Sequence, residues 1–484
     1  MMILAIFTFN TQAQKPAYYY NRQAFNRILC MQHDEARNFL DDAKTADPLN
    51  IHSYYLENYL EFLKCLSSGS KQQYSYYKEN FRKRVQFIKI NGQMSDSALL
   101  LQAEMQFHTF VLAAFSGERL NAFRYFFQFS EQVESLILSA EKLKKVNLLK
   151  GLCLIIMSSV PDEYQWALSY VGLQGDLDSG LKMVEKYQNY CKNKPDEFLE
   201  SLMILTLARH VFERDFKKNY SILSAMPKVH LQNPLFRFAY VLTASRAAQN
   251  DEVINVLRNH PQQKSELRVC YFDYLLGEAM LNRLDRNADE PLKRFIGCGT
   301  NGAYIVPAYK KLAWIALINK DTVAYTRYRN KILQADNLTT EAGLQAKNEF
   351  QEQEIPNVNL IKARLLFDGG YYSSARNILL QKEVRESLKN VYQQTEYAYR
   401  LARIYHLTGE HDKAIKLYKL TCENGWEYPM YYAAYAALQL GYIFENSGDL
   451  ENAAFYFNRA LQSKNISYGQ RIRYEAKNGL KRLK

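Results

Sequence analysis

Residues 363–380 read ARLLFDGGYYSSARNILL, residues 402–419 read ARIYHLTGEHDKAIKLYK, and residues 441–458 read GYIFENSGDLENAAFYFN. Set one under the other, the three lines fall into register at a 39-residue step. Each opens on a small residue: Ala363, Ala402 and Gly441. Three places on stands a large one: Leu366, Tyr405 and Phe444. Gly370, Gly409 and Gly448 then mark a turn, Ala375, Ala414 and Ala453 restore a small side chain, and Leu379, Tyr418 and Phe457 close with bulk. Small positions let two helical backbones approach, and the bulky ones fill the space beside them. A glycine between them tolerates the left-handed conformation that ends a helix. The stretch Asn357–Leu461 is therefore expected to be three helical hairpins stacked in series, and the fold all-α, an α-solenoid.

A period in this range marks a repeat architecture, and this one resembles the tetratricopeptide repeat, whose usual period is about 34 residues. Ala402, Tyr405, Gly409, Ala414 and Tyr418 match its signature, as do Gly441, Phe444, Gly448, Ala453, Phe457 and Ala460. Ala363 and Ala375 hold the same places in the first copy, where Lys362 stands at a position usually leucine. No tryptophan opens a copy and no proline closes one, and the longer step should extend a helix or a loop. The resemblance implies a concave groove, lined by the first helices, that accepts peptides or partner helices. Carried over to this sequence, its lining is Arg364 and Phe367, then Tyr399, Arg403 and His406, then Tyr435, Tyr442 and Glu445. Cations mixed with rings suit an extended segment bearing a carboxylate; an ordinary wet helix face would read the same way.

At 484 residues the chain could fill about three ordinary domains or one continuous solenoid. Apolar residues at 48% suffice for a continuous core and argue against global disorder. The 37 tyrosines suit helix faces that are half buried and half wet. The formal charge is +12, with Arg82-Lys83-Arg84 early and Arg471, Arg473, Lys477, Lys481, Arg482 and Lys484 at the end. A basic surface can meet nucleic acid or anionic lipid. Here the cations are scattered among 50 acids without an aromatic stripe, so no nucleic-acid partner is expected. The terminal cluster reads as a capping helix, whose carbonyl end favours cations; peripheral contact with a membrane surface stays open.

The amino terminus, MMILAIFTFNTQAQ, has an apolar run at Ile3–Phe9 and small residues around Ala13. Residues 1–13 read as a truncated signal peptide lacking its basic start, which places the protein in the periplasm or cell envelope. A disordered or helical start to a cytoplasmic protein is the alternative. No later run reaches the ~18–20 apolar residues a membrane span needs. Seven cysteines are scattered and never form a CxxC pair, so they read as small core hydrophobes.

Upstream of the array, Ala36, Leu40 and Ala43 followed by Asp47-Pro48 repeat the second-helix pattern and its stop. Tyr54–Leu66, Tyr74–Ile88, Ala98–Ala114 and Leu120–Val146 have helical spacing, with breaks at Ser67–Ser70, Asn91-Gly92 and Ser116-Gly117. Residues 14–335 are expected as divergent helical hairpins, 336–355 as a polar connector, and 356–484 as three repeats plus a basic capping helix. The middle of the chain resembles the inclusion body clearance family, a eukaryotic tetratricopeptide family. Its Ser-x-x-Pro and Gly-x-x-Gly-Asp-x-x-x-Gly-Leu are matched by Ser158, Pro161, Gly172, Gly175, Asp176, Gly180 and Leu181. Tyr274–Gly277 and Val306-Pro307 follow in the family's order. That resemblance implies an adaptor without catalysis, although an export signal departs from it.

Residues 297–302 spell a literal GxGxxG, with Asp321 beyond. A dinucleotide site needs that turn between a strand and a helix, whereas Glu290–Ile296 has helical character, so the stretch reads as a loop. There is no HExxH and no His/Cys cluster at zinc spacing, and His406 and His411 merely flank a turn glycine. No GxSxG elbow occurs. No cofactor, metal or catalytic residue is expected. The chain reads as a non-enzymatic scaffold that binds a protein or peptide in its groove. A bacterial envelope glycan-binding or transport-accessory protein is the alternative, weakened by the three tryptophans and by the lack of a lipid-anchor cysteine.

Overall fold

A computed structural model describes residues 16–484 except 94, 140–143, 159, 161–173, 214, 299–303, 337, 339–340, 352–354, 429–430, 464–465, 467 and 484. Among the described residues every regular element is helical. The first half runs α1 (Ala17–Leu29), α2 (His33–Ala46), α3 (Ile51–Ser68), α4 (Lys71–Asn91), α5 (Asp96–Phe115), α6 (Arg119–Ser139), α7 (Lys145–Ser158), α8 (Leu177–Tyr190), α9 (Pro195–Ala208), α10 (Phe216–Ser224), α11 (Pro234–Arg246) and α12 (Asn250–Asn259). The second runs α13 (Tyr271–Asn282), α14 (Asp289–Gly297), α15 (Ile305–Ile318), α16 (Thr322–Leu333), α17 (Glu341–Gln351), α18 (Val358–Asp368), α19 (Tyr372–Leu380) and α20 (Lys382–Glu386). It ends with α21 (Val391–Leu407), α22 (His411–Gly425), α23 (Tyr431–Asn446), α24 (Leu450–Leu461) and α25 (Gly469–Arg482). The signal-peptide reading of residues 1–13 and residues 299–302 of the GxGxxG stretch lie outside the described residues.

The chain divides into two compact units. One runs to Ala247 and takes in Val256–Tyr271; the other holds Ala248–Asn255, Phe272–Cys298 and Gly302–Lys484. In the first unit, Phe129, Leu136, Leu149, Ile155, Val184 and Leu205 belong to one buried cluster. Helices α7 and α8 meet through two glycines. A Cβ on Gly151 would lie 2.8 Å from the Gly180 carbonyl oxygen, and one on Gly180 would lie 2.7 Å from that of Gly151. Backbones approach this closely only where both side chains are missing. Asp176 caps α8 by accepting from the Ser179 amide at 3.0 Å. A Cβ on Gly175 would sit 2.1 Å from the Ser158 nitrogen. The described part of the middle motif thus builds one tight helix crossing, while its Pro161 and Gly172 lie outside the described residues.

Among the described helices α5 alone is long and apolar enough to cross a bilayer, and 61% of its apolar window is buried inside the chain. It carries Gln102, Glu104, Gln106 and His108, all buried, which gives it the polar cargo of a core helix. Cys65 and Cys153 in this unit and Cys422 in the other are buried free thiols, each pushed up to about 12 by that burial. Cys270 and Cys298 depart from the expected pattern, each being disulfide-bonded.

In the second unit the 39-residue register becomes packing. Ala363, Ala375, Ala402, Ala414 and Ala453 are buried, with Leu379, Tyr418 and Phe457 beside them in one cluster. A Cβ on Gly441 would lie 2.5 Å from the Phe457 ring, so α23 and α24 touch where the small residue sits. Each first helix ends the same way. Gly370, Gly409 and Gly448 hold φ of +88°, +82° and +80°. The amides of Tyr371, Glu410 and Asp449, one residue further on, donate to the carbonyls of Leu366, Tyr405 and Phe444 at 2.8, 2.8 and 2.9 Å. That six-to-one bond satisfies a carbonyl the helix end would leave bare. Caps set the starts of the first helices α18 and α21 and of the second helix α24: Asn357, Asn390 and Asp449 accept from the amides of Asn359, Gln393 and Asn452 at 2.9, 2.9 and 3.1 Å. The polar stretch 336–355 carries α17, whose Ala346 and Phe350 are buried one turn apart.

Candidate functional site

The residues assigned to the groove lie on α18, α21 and α23; Phe367 and Tyr399 are buried in the same cluster as the alanines, and Arg364, Arg403, His406, Tyr435, Tyr442 and Glu445 are half-buried. Helical periodicity puts Tyr399, Arg403 and His406 on one stripe. The Arg403 guanidinium lies 4.0 Å from the centre of the Phe367 ring and 5.7 Å from that of Tyr399. Its Nη1 is 3.9 Å from Asp368 Oδ1, and the side chain is 32% exposed. A cation held flat on a ring keeps part of its charge available to water or to a ligand.

Tyr399 forms the floor of this arrangement. It is 1% exposed, and its ring centre lies 5.1 Å from Tyr432 and 6.0 Å from Tyr431, the latter edge-on. Tyr435 is half-buried one turn beyond Tyr431, with ring centres 6.4 Å apart. His406 sits 3.5 Å from the Tyr418 hydroxyl. Burial, and then His411, lower its pKa below the usual 6.5, so the imidazole is neutral at pH 7.

The other assigned residues are engaged by neighbouring elements. Tyr442 donates to Glu475 at 3.4 Å. Glu445 accepts both Nε and Nη2 of Arg482 at 2.7 Å, a bidentate tie to α25. Arg364 reaches Glu349 on α17 at 3.4 Å, and Glu349 also takes Lys310 at 2.6 Å. Both cations lie over the Trp314 ring, at 4.9 and 4.7 Å from its centre. Burial works to raise the Glu349 carboxyl, but Lys310 and Arg364 outweigh it and hold it at about 2. The structure therefore brings Phe367, Tyr399, Arg403 and His406 together, and separates Arg364 on one side from Tyr442 and Glu445 on the other.

Asp368, Glu349 and Tyr468 were missed from the sequence. For α17 a signal existed: Ala346 and Phe350 stand four apart in a polar stretch, the spacing of a helix with one apolar edge.

The first unit holds a second charged centre. Lys145 Nζ lies 2.9 Å from Glu104 and 3.3 Å from Glu200, and the Tyr55 hydroxyl donates to Glu104. Burial raises Glu200 above the usual carboxylate range despite the ammonium beside it. His108 is stacked 4.3 Å from Phe62, and burial drives it to about 3, hence neutral. Among the described residues no group of three or more His, Cys, Asp or Glu is placed to hold a metal.

A family model described as tetratricopeptide repeat matches residues 395–422 and 434–466, which cover most of α21 and α22, and most of α23 with all of α24. A search of curated proteins found no match. Similar solved structures include the crystal structure of the APC/C hetero-tetramer Cut9–Hcn1, at 11% identity and a TM-score of 0.26, covering 95% of this chain and 96% of that one. Another is the structure of Naa15/Naa10 bound to HypK-THB, at 12% identity and a TM-score of 0.22, covering 96% of this chain and 66% of that one. Scores this low bear on neither shape nor function. The register, the turns, the buried alanines and the matched segments agree: the chain carries tetratricopeptide repeats within residues 395–466.

Proposed function

We propose that the first-helix face of α18, α21 and α23 is a protein-docking surface, and that the chain works as a non-enzymatic helical-repeat scaffold. The observation that carries this reading is Arg403, a partly exposed cation laid across Phe367 with only a 3.9 Å contact to Asp368. A carboxylate on an incoming segment can replace that long contact with short charge-assisted hydrogen bonds, while Tyr435 offers ring surface beside it. Export to the periplasm or envelope belongs with this reading, and mass spectrometry of the mature amino terminus tests it.

The docking surface is tested by affinity capture with the purified chain, followed by mass spectrometry, beside Arg403→Glu. The reading expects a set of proteins held by the native chain and lost from the variant, with helix content unchanged by circular dichroism. Recovery of the same set by both chains, or of nothing above background by the native one, refutes it.

A further inference from the structure

Helix α17 has two edges with different neighbours. Ala346 and Phe350 are buried, with the Phe350 ring 6.0 Å from Tyr325 on α16. Gln345 and Glu349, one turn apart and joined at 2.8 Å, form the other edge. Glu349 meets Arg364 on the first repeat. Gln345 accepts the Tyr468 hydroxyl, which comes from just ahead of α25, beyond the last repeat. One short helix therefore joins the start of the array to its end through a carboxylate and an amide.

Arg364, Arg403 and Tyr442 occupy one register position, 39 residues apart. At the first of these the guanidinium already holds a carboxylate from α17; at the second it is partly exposed. Resting on the docking surface proposed above, we infer that α17 is an internal occupant of that surface. The partner it stands in for is a helix presenting a carboxylate and an amide oxygen one turn apart. The repeat-side contacts of α17 are polar and exchangeable, while its apolar edge and the 2.6 Å pair of Glu349 with Lys310 keep it on the α15–α16 hairpin. A tethered segment acts at an effective concentration in the mM range, so a free helix of the same chemistry at micromolar concentration is shut out of the native chain.

The test uses the full chain and fluorescein-labelled synthetic peptides with the sequence of residues 338–354, in native form and with Glu349→Gln. Fluorescence anisotropy is compared for the native chain and for Glu349→Gln/Phe350→Ala, which loosens both edges of α17. The loosened chain should bind the native peptide at least tenfold more tightly than the native chain does, and the Glu349→Gln peptide several-fold more weakly. Adding Arg364→Gln to the loosened chain should narrow the preference between peptides to the share that rests on Lys310, 2.6 Å from Glu349. Hydrogen exchange supplies a second readout: amides of α17 lose protection in the loosened chain, while those of α21 keep theirs, showing an intact array. Equal affinity of both chains for the native peptide, equal binding of both peptides, or unchanged exchange in α17 overturns the inference. If those results coincide with Arg403-dependent capture of proteins, the docking surface stands and only its internal occupant falls.

Discussion

The hairpins of residues 357–461 and several ahead of them make one turn from different residues. In the array the left-handed position is glycine each time, at Gly370, Gly409 and Gly448. Upstream it is Met31, Leu284 and Lys320, at φ of +57°, +63° and +62°. The closing bond is the same. Gln32, Asp285 and Asp321 donate to the carbonyls of Arg27, Met280 and Ala316 at 2.9, 2.9 and 2.8 Å. Helix ends need their carbonyls satisfied, so the backbone geometry is held while the residue that adopts it varies. The difference is energetic: a left-handed L-residue costs about 1–2 kcal/mol that glycine does not. Packing on either side must supply the excess.

The largest effect should come from the helix contact itself. Gly441→Phe forces a ring into the space of Phe457, and several kcal/mol of stability should go. An unchanged urea midpoint would mean that α23 and α24 do not meet there. Next come two glycine turns that look alike in sequence. Gly370 has the Ala248 carbonyl oxygen 2.4 Å from a would-be Cβ, whereas Gly409 has nothing within 4 Å. Gly370→Ala should cost about 2–3 kcal/mol by clash plus strain, and Gly409→Ala about 1 kcal/mol by strain alone. Equal losses in paired urea titrations would assign both to backbone conformation. The smallest effect has the opposite sign. Lys320 is exposed, so Lys320→Gly removes strain without removing packing and should raise stability by about 0.5–1 kcal/mol. A loss would show that the Lys320 side chain contributes more than its backbone costs.

Acid should separate the regions further. Glu349 in the second unit is held at about 2 against an ordinary 4.5. Its contribution is complete above pH ~4.5 and fades as the pH falls toward 2, because the unfolded chain takes up the proton first. Glu200 in the first unit is raised, so the folded chain takes up its proton first, and acid relieves the cost of its buried charge. Hydrogen exchange from pH 5 down to 3 should show the second unit opening before the first, with Glu349→Gln removing most of that acid sensitivity. The reverse order would assign the acid response to other carboxylates.

The same contrast explains what the sequence could reveal. The array was legible because glycine is rare enough to be seen at a fixed step, and alanines flank it. At Met31 the small partners Ala24 and Ala36 are buried in place, but the turn residue carries no mark. At Leu284 the close approach comes from Gly277 against Leu292, a pairing no period announces. The groove was legible as a face and not as a surface. Register placed Tyr399 beside Arg403, yet burial of Tyr399 depends on Tyr431 and Tyr432, which arrive from the next copy. Glu349 was hidden because a polar run looks like a linker until its two apolar residues find a hairpin to rest on.

The shielded thiols described above give each half of the molecule its own clock. A cysteine reacts as thiolate, so Cys65, Cys153 and Cys422 stay inert to iodoacetamide until the surrounding helices part. Alkylation sampled over time and read peptide by peptide would date the opening of the amino-terminal unit from the first two sites and of the repeat array from the third, in a single tube and without any substitution.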